Sequence, residues 1–160
     1  MSRAQTIADR FREAILNGKW IANTNFRQAL SDVTWEQANQ QVGDLNTIAA
    51  LTFHIGYYIG GVLEVFEGGP LAIRDKYSFD FPPIESQADW EQLQASLWER
   101  SERFAEAVER MSDEQLDAGF VDEKYGTYER NIEGIIEHGY YHFGQVVLLK
   151  KLLNQSSSRP

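Results

Sequence analysis

The stretch Ile135-Ile-Glu-His138-Gly-Tyr-Tyr-His142-Phe-Gly-Gln145-Val-Val-Leu-Leu149-Lys-Lys-Leu152 decides the fold of this chain. Ile135, His138, His142, Gln145, Leu149 and Leu152 recur at the spacing of one α-helical face. Two imidazoles interrupt an otherwise apolar stripe, one helical turn apart. Such an i,i+4 pair stacks both rings on one side of the helix, within reach of a single metal ion. The plainer reading makes each histidine a hydrogen-bonded core residue, because an unpaired buried imidazole costs about 1–3 kcal/mol. Spacing alone leaves both readings open.

The chain contains three histidines. The third, His54, lies in a second apolar segment, where Leu51, His54 and Tyr58 share a face. It could complete a three-nitrogen site and leave an ion an open position, as catalytic sites require. Gln145 stands one turn beyond His142, placed to orient a ligand or a metal-held water. Tyr58 and Tyr141 are further candidates to reach the site, although interior tyrosines more commonly pack. Glu137 precedes His138, so the segment is not HExxH. On an ideal helix Glu137 points about 100° away, toward solvent or a salt bridge.

Outward from these segments, four long helical patterns emerge. The first carries Ile7, Phe11, Ile15, Ala22, Phe26 and Leu30 on one stripe. The second begins after Asn46, read as its N-cap, and stops at Gly68-Gly69-Pro70. The third follows Ser86, with a stripe of Trp90, Leu93, Leu97, Phe104, Val108 and Met111. The fourth runs from about Thr127 to Leu153. Thr34-Trp-Glu-Gln37 and Ser112-Asp-Glu-Gln115 read as capping boxes opening short helical pieces. No segment alternates long enough for a strand. The expectation is an all-α four-helix bundle forming one domain over residues 1–154, with a polar tail at 155–160 that frays. The longest irregular segment, Gly68 to Glu85, carries Tyr77, Phe79, Phe81, Pro82 and Pro83. It is expected to cover one end of the bundle and help form a pocket.

Composition narrows the function classes. The 160 residues carry a formal net charge of −9 and no cysteine. The acidic balance and the lack of a basic, aromatic-interleaved patch argue against nucleic-acid binding. Without cysteine there is no disulfide, thiolate ligand or cysteine nucleophile. The start, MSRAQTIADRFREAIL, has charges throughout and no signal-like apolar core, so a cytoplasmic protein is expected. Residues 45–63 lack charge and contain Gly56-Tyr-Tyr-Ile-Gly60, a small-xxx-small pattern of membrane helices. Their acidic flanks and mid-span His54 favour the central helix of a soluble bundle instead.

Three motifs resemble the DinB-like family of four-helix-bundle metalloenzymes, whose superfamily includes bacillithiol and mycothiol S-transferases and maleylpyruvate isomerase. These are Trp20-Ile-Ala-Asn23 with Phe26 and Leu30, Asn46-Thr-Ile-Ala-Ala-Leu-Thr-Phe-His54, and His138-Gly-Tyr-Tyr-His142-Phe-Gly-Gln145. The last is similar to the family's HxxxHxGQ signature. The resemblance implies that His54, His138 and His142 are metal ligands. Phe143 departs from the arginine frequent after the last histidine, which places an anion-binding role there in question.

A divalent ion on three imidazoles could acidify water or a substrate thiol. The expected activity is therefore a small-molecule hydrolase or a thiol S-transferase. A transferase would borrow its thiol from a low-molecular-weight cosubstrate. Zinc or nickel fits the nitrogen donors best, with manganese and iron as alternatives. Tyr58 and Gln145 are the candidate catalytic side chains. Glu64, Glu133, Glu137 and Asp122 are equal candidates for a carboxylate that orients an imidazole. The alternative is a non-catalytic bundle that binds a small molecule or partner and keeps a vestigial metal site. A homodimer is a further reading, since bundle helices pair readily and the second helix carries few charges.

Overall fold

A computed structural model describes residues 1–157, with side chains through Gln155. Seven α-helices follow one another: α1 (Arg3–Ile15), α2 (Phe26–Leu30), α3 (Trp35–Asn39), α4 (Ile48–Phe66), α5 (Gln87–Glu109), α6 (Asp113–Asp117) and α7 (Tyr128–Ser157). Single 3-10 turns lie at Asp75–Tyr77 and Glu123–Tyr125. Among the described residues the only β-type pairing is an isolated bridge between Gly119 and Thr127. The fold is all-α, a bundle of the four long helices α1, α4, α5 and α7 around one continuous apolar core.

Local signals set most of the boundaries. The Ser2 hydroxyl accepts from the Gln5 amide while the Gln5 side chain accepts from the Ser2 amide, a reciprocal capping box. Thr34 and Gln37 repeat that device at α3. Helix α4 is capped by Thr47, whose hydroxyl accepts from the Ala50 amide at 3.1 Å, so the cap lies one residue past the expected Asn46. The stripe drawn from Ile7 to Leu30 is not one helix. Helix α1 stops at Ile15, and Ala22 and Asn23 adopt left-handed φ values of 58° and 57°. Ala22 is exposed there, and a new helix starts when the Asn25 side chain accepts from the Gln28 amide. At the other end, α7 continues past the expected Leu153 to Ser157, so Gln155 is helical; residues 158–160 of the expected frayed tail lie outside the described residues.

Contacts between helices give both neighbours and directions. Helix α4 packs against α5 and α7, and α1 packs against the same two. Gly56 faces Leu97, Gly60 faces Arg100, and Phe66 meets Phe104, so α4 and α5 run parallel. Arg3 pairs with Glu129, Arg10 with Glu133, and Gly139 abuts Ile15, so α1 and α7 are parallel too. Phe66 stacking on Tyr128 while His54 meets His142 makes α4 and α7 antiparallel.

Parallel neighbours in sequence demand a return connection. The segment between α4 and α5 supplies it by running back along α4. Ile73 abuts Gly61, Arg74 bonds Tyr57, Ser78 bonds His54, and Phe81 stacks on Phe53. The loop expected to cover one end of the bundle is therefore a strap along its side. Gly61 is required by that close approach, because a side chain there would collide with Ile73.

The small-xxx-small pattern has the same intramolecular cause. A Cβ at Gly56 would sit 3.5 Å from Leu97, and one at Gly60 would sit 3.4 Å from the Arg100 stem. Helix α4 is long and apolar enough to cross a membrane, with mean hydropathy 1.4, but 67% of that window is buried inside the bundle. It serves as the core helix, consistent with a soluble protein.

Candidate metal centre

His54 on α4 faces His138 and His142 on α7, and the antiparallel packing of the two helices brings the rings together. The Nε2 atom of His138 lies 3.1 Å from Nε2 of His54 and 2.9 Å from Nε2 of His142. His54 and His142 are buried and His138 is half-buried. The three residues expected from sequence thus form one cluster, whose ligand atoms all lie within 4.8 Å of one another.

The outer nitrogens decide how the inner ones are used. His54 Nδ1 is 3.2 Å from the carbonyl oxygen of Ser78, which can only accept. His142 Nδ1 is 2.7 Å from the side-chain oxygen of Gln145, again an acceptor in this amide orientation. Each Nδ1 therefore carries the proton, and each Nε2 turns a lone pair inward. Both lone pairs point at the single Nε2 of His138, whose one proton could satisfy only one of them well.

Two of the three nitrogen pairs have the spacing of ligands on one cation. Two nitrogens about 2.0–2.1 Å from one ion stand about 2.9 Å apart at a right angle and about 3.3 Å apart at the tetrahedral angle. The contacts at 2.9 and 3.1 Å fall inside that interval, and the His54 and His142 nitrogens lie within the 4.8 Å that encloses the whole set. The set of three imidazoles suits zinc, nickel, copper or iron better than magnesium or calcium.

Electrostatics keep the rings neutral. The pKa of His138 falls to about 4, through burial first and then the charges of His142 and His54. His54 is lowered by burial and by His142, against the opposing pull of the Ser78 carbonyl and Asp75. Burial also lowers His142, with Gln145 acting against it. Neutral imidazole is the form that ligates a metal.

A cavity of about 570 Å³ opens beside the cluster, with His54 and His138 in its wall. Tyr58 also lines it. The Tyr58 hydroxyl donates to the Asp75 carboxylate at 2.6 Å, and burial followed by that bond pushes its pKa up to about 12. Phe79 of the strap stacks on His54 at 4.2 Å between centroids. Tyr141, by contrast, is 66% exposed and meets only the outer edge of His142.

None of the four carboxylates weighed from sequence orients an imidazole. Glu133 pairs with Arg10, Glu137 with Arg130 and Asp122 with Lys124, while the Glu64 side chain lies beside Gly69. The orienting groups are the Ser78 carbonyl and the Gln145 amide, with Asp75 held at Tyr58. Sequence reasoning missed Asp75 and Ser78 because they sit on the strap, where no periodicity marks a face. The aromatic run Tyr77, Phe79 and Phe81 was the available signal that this segment packs.

Fold and site together define an all-α bundle with a three-histidine cluster able to hold a metal ion. The family model of the DinB superfamily matches residues 21–146, and the chain belongs to that superfamily. The match spans His54, His138, His142 and Gln145. No match was found among curated proteins or among solved structures.

Proposed function

We propose that this protein is a metal-dependent enzyme acting on a small molecule, by thiol S-transfer or by hydrolysis. His54, His138 and His142 would hold the divalent ion, with zinc or nickel favoured by the nitrogen donors. The observation that carries the reading is the convergence of three Nε2 atoms beside a cavity, two of them with tautomers fixed by outer hydrogen bonds. A core histidine that only packs has no need of inward lone pairs facing another imidazole nitrogen.

A bound ion would supply Lewis acidity toward a thiol or carbonyl of the substrate. The chain's own residues do the rest. Ser78 and Gln145 hold His54 and His142 in the ligating tautomer. Phe79 covers one face of the His54 ring. Tyr58, its hydroxyl proton donated to Asp75, keeps that proton across the physiological range and so acts as a positioning group rather than a base. In the thiol-transfer branch the sulfur comes from a low-molecular-weight cosubstrate, since the chain has no cysteine.

Metal content by mass spectrometry, on the wild type and on His138→Ala, tests the reading. Near-stoichiometric transition metal that falls sharply in the variant is expected. Wild-type protein that takes up no ion after incubation with zinc or nickel would leave a non-catalytic binding bundle. Unchanged stoichiometry in His138→Ala would reject the ligand assignment.

A further inference from the structure

We propose that the cavity takes an elongated small-molecule acid, with its carboxylate between Lys124 and Arg130 and its reactive end at the histidines. Only the histidine end of this proposal rests on the metal-dependent reading above.

The cavity is long because two antiparallel helices form its walls. On α4 the lining runs from His54 through Tyr58 to Val62, and on α7 from His138 through Ile135 to Arg130. Eight residues separate the ends on each helix, and eight residues of helix cover about 12 Å. The histidines stand at one end and Lys124 at the other, with the Arg130 side chain reaching from that end along α7 to Glu137. Between them the wall is apolar, from Val62 and Ile135 on the helices and Leu71 and Ile73 on the strap.

The charges at the far end are selected by sign. Residues 122–137 include the acids Asp122, Glu123, Glu129, Glu133 and Glu137, and none of them lines the cavity. Both cations of that stretch, Lys124 and Arg130, do line it. In a chain of net charge −9, composition alone does not place the cations inward. The one carboxylate in the wall, Asp75, lies toward the histidine end and accepts from Tyr58.

Both cations stand at the cavity wall, Lys124 weakly paired and Arg130 shared with Glu137. Asn131 donates to the carbonyls of Tyr125 and Thr127 at 2.9 and 2.7 Å, which pins the turn carrying Lys124 to the start of α7. Arg130 holds the Glu137 carboxylate with both terminal guanidinium nitrogens, at 3.1 to 3.3 Å, across side chains 58% and 62% exposed. Lys124 reaches Asp122 only at 3.8 Å. An exposed pair such as Lys124 with Asp122 is worth about 0–1 kcal/mol, so a ligand carboxylate can take Lys124 from its partner and compete with Glu137 for Arg130. A carboxylate meeting a guanidinium and an ammonium forms charge-assisted hydrogen bonds that a neutral hydroxyl cannot match.

Calorimetric titration of metal-free protein with ω-mercaptooctanoate and with ω-mercaptooctanol tests the proposal. The two probes share an apolar body and a thiol and differ in the charge of the far end. The acid should bind about tenfold more tightly than the alcohol, and the double variant Lys124→Gln/Arg130→Gln should abolish that preference. Equal binding of the two probes, failure of both to bind, or a preference that survives the double variant would each overturn the proposal. Repeating the titration after zinc addition separates it from the metal reading. An acid preference without any zinc-dependent gain supports the acid site and overturns the placement of the reactive end at the histidines, while metal content decides the metal reading separately. A zinc-dependent gain without acid preference does the reverse.

Discussion

Gln145→Met tests whether the amide beside His142 prepares that ring to bind an ion. The substitution keeps a flexible side chain of similar length and removes the oxygen that accepts from His142 Nδ1 at 2.7 Å. A neutral hydrogen bond of this kind contributes about 0.5–1.5 kcal/mol, a factor of roughly two to ten in an equilibrium. Removing a supporting partner of a ligating histidine typically costs about 10–100-fold in metal affinity. The two ranges meet at about tenfold, which is the expected loss of zinc affinity in a chelator-competition titration. Metal-free Gln145→Met should also be less stable by about 1 kcal/mol, a fall in Tm of about 2–4 °C for a domain of this size. Zinc affinity within twofold of wild type, alongside complete loss in His142→Ala, would show that Gln145 does not prepare the ring. The tautomer argument would then fail for His142 while the ligand set survived.

The pH dependence of metal-free stability has a definite sign. His138 is lowered from 6.5 to about 4, so the unfolded chain takes up protons first and stability drops as pH falls from 6.5 toward 4. Urea unfolding at stepped pH should show that loss, and a flat profile between pH 7 and 5 would contradict the neutral, buried cluster. Gly61→Ala should destabilise by about 1–3 kcal/mol, because the added methyl group meets Ile73 of the strap. Ile73→Ala should relieve much of that cost, and additive single effects in the double-mutant cycle would mean the strap does not lie against α4 there.

Much of this arrangement was legible in the sequence, for identifiable reasons. The i,i+4 spacing of His138 and His142 survives any packing, since it depends only on helical geometry. His54 joined them because it lies on a helix face with Leu51 and Tyr58. The short helices α3 and α6 announced themselves through Thr34 and Ser112, whose caps are local. Helix direction was not legible. Periodicity states which face is buried but not whether two neighbours run parallel, so nothing in the sequence distinguishes an end cover from a side strap for residues 68–85. The break after Ile15 was hidden because Phe26 and Leu30 continue the apolar register of Ile7 and Phe11 across a non-helical loop. Gly56 and Gly60 were legible as a close-packing surface, but their partners Leu97 and Arg100 were not. Lys124 and Arg130 carried no signal at all, because nothing in a mixed-charge run states which members turn toward a cavity.

The separation of the histidines along the chain bears on when the cluster comes into being. His54 and His138 lie 84 positions apart, and the strap that holds His54 comes from a third segment. Helix α7 alone offers two imidazoles, and α4 alone offers one. A chain still emerging during synthesis holds an isolated His54 until nearly all of the bundle has been made. Closing so long a loop is an entropic cost that helix packing must meet before three nitrogens share a point. Any ion the cluster takes is thereby captured after assembly of the bundle, and its choice would fall to a finished cage rather than to a nascent chain.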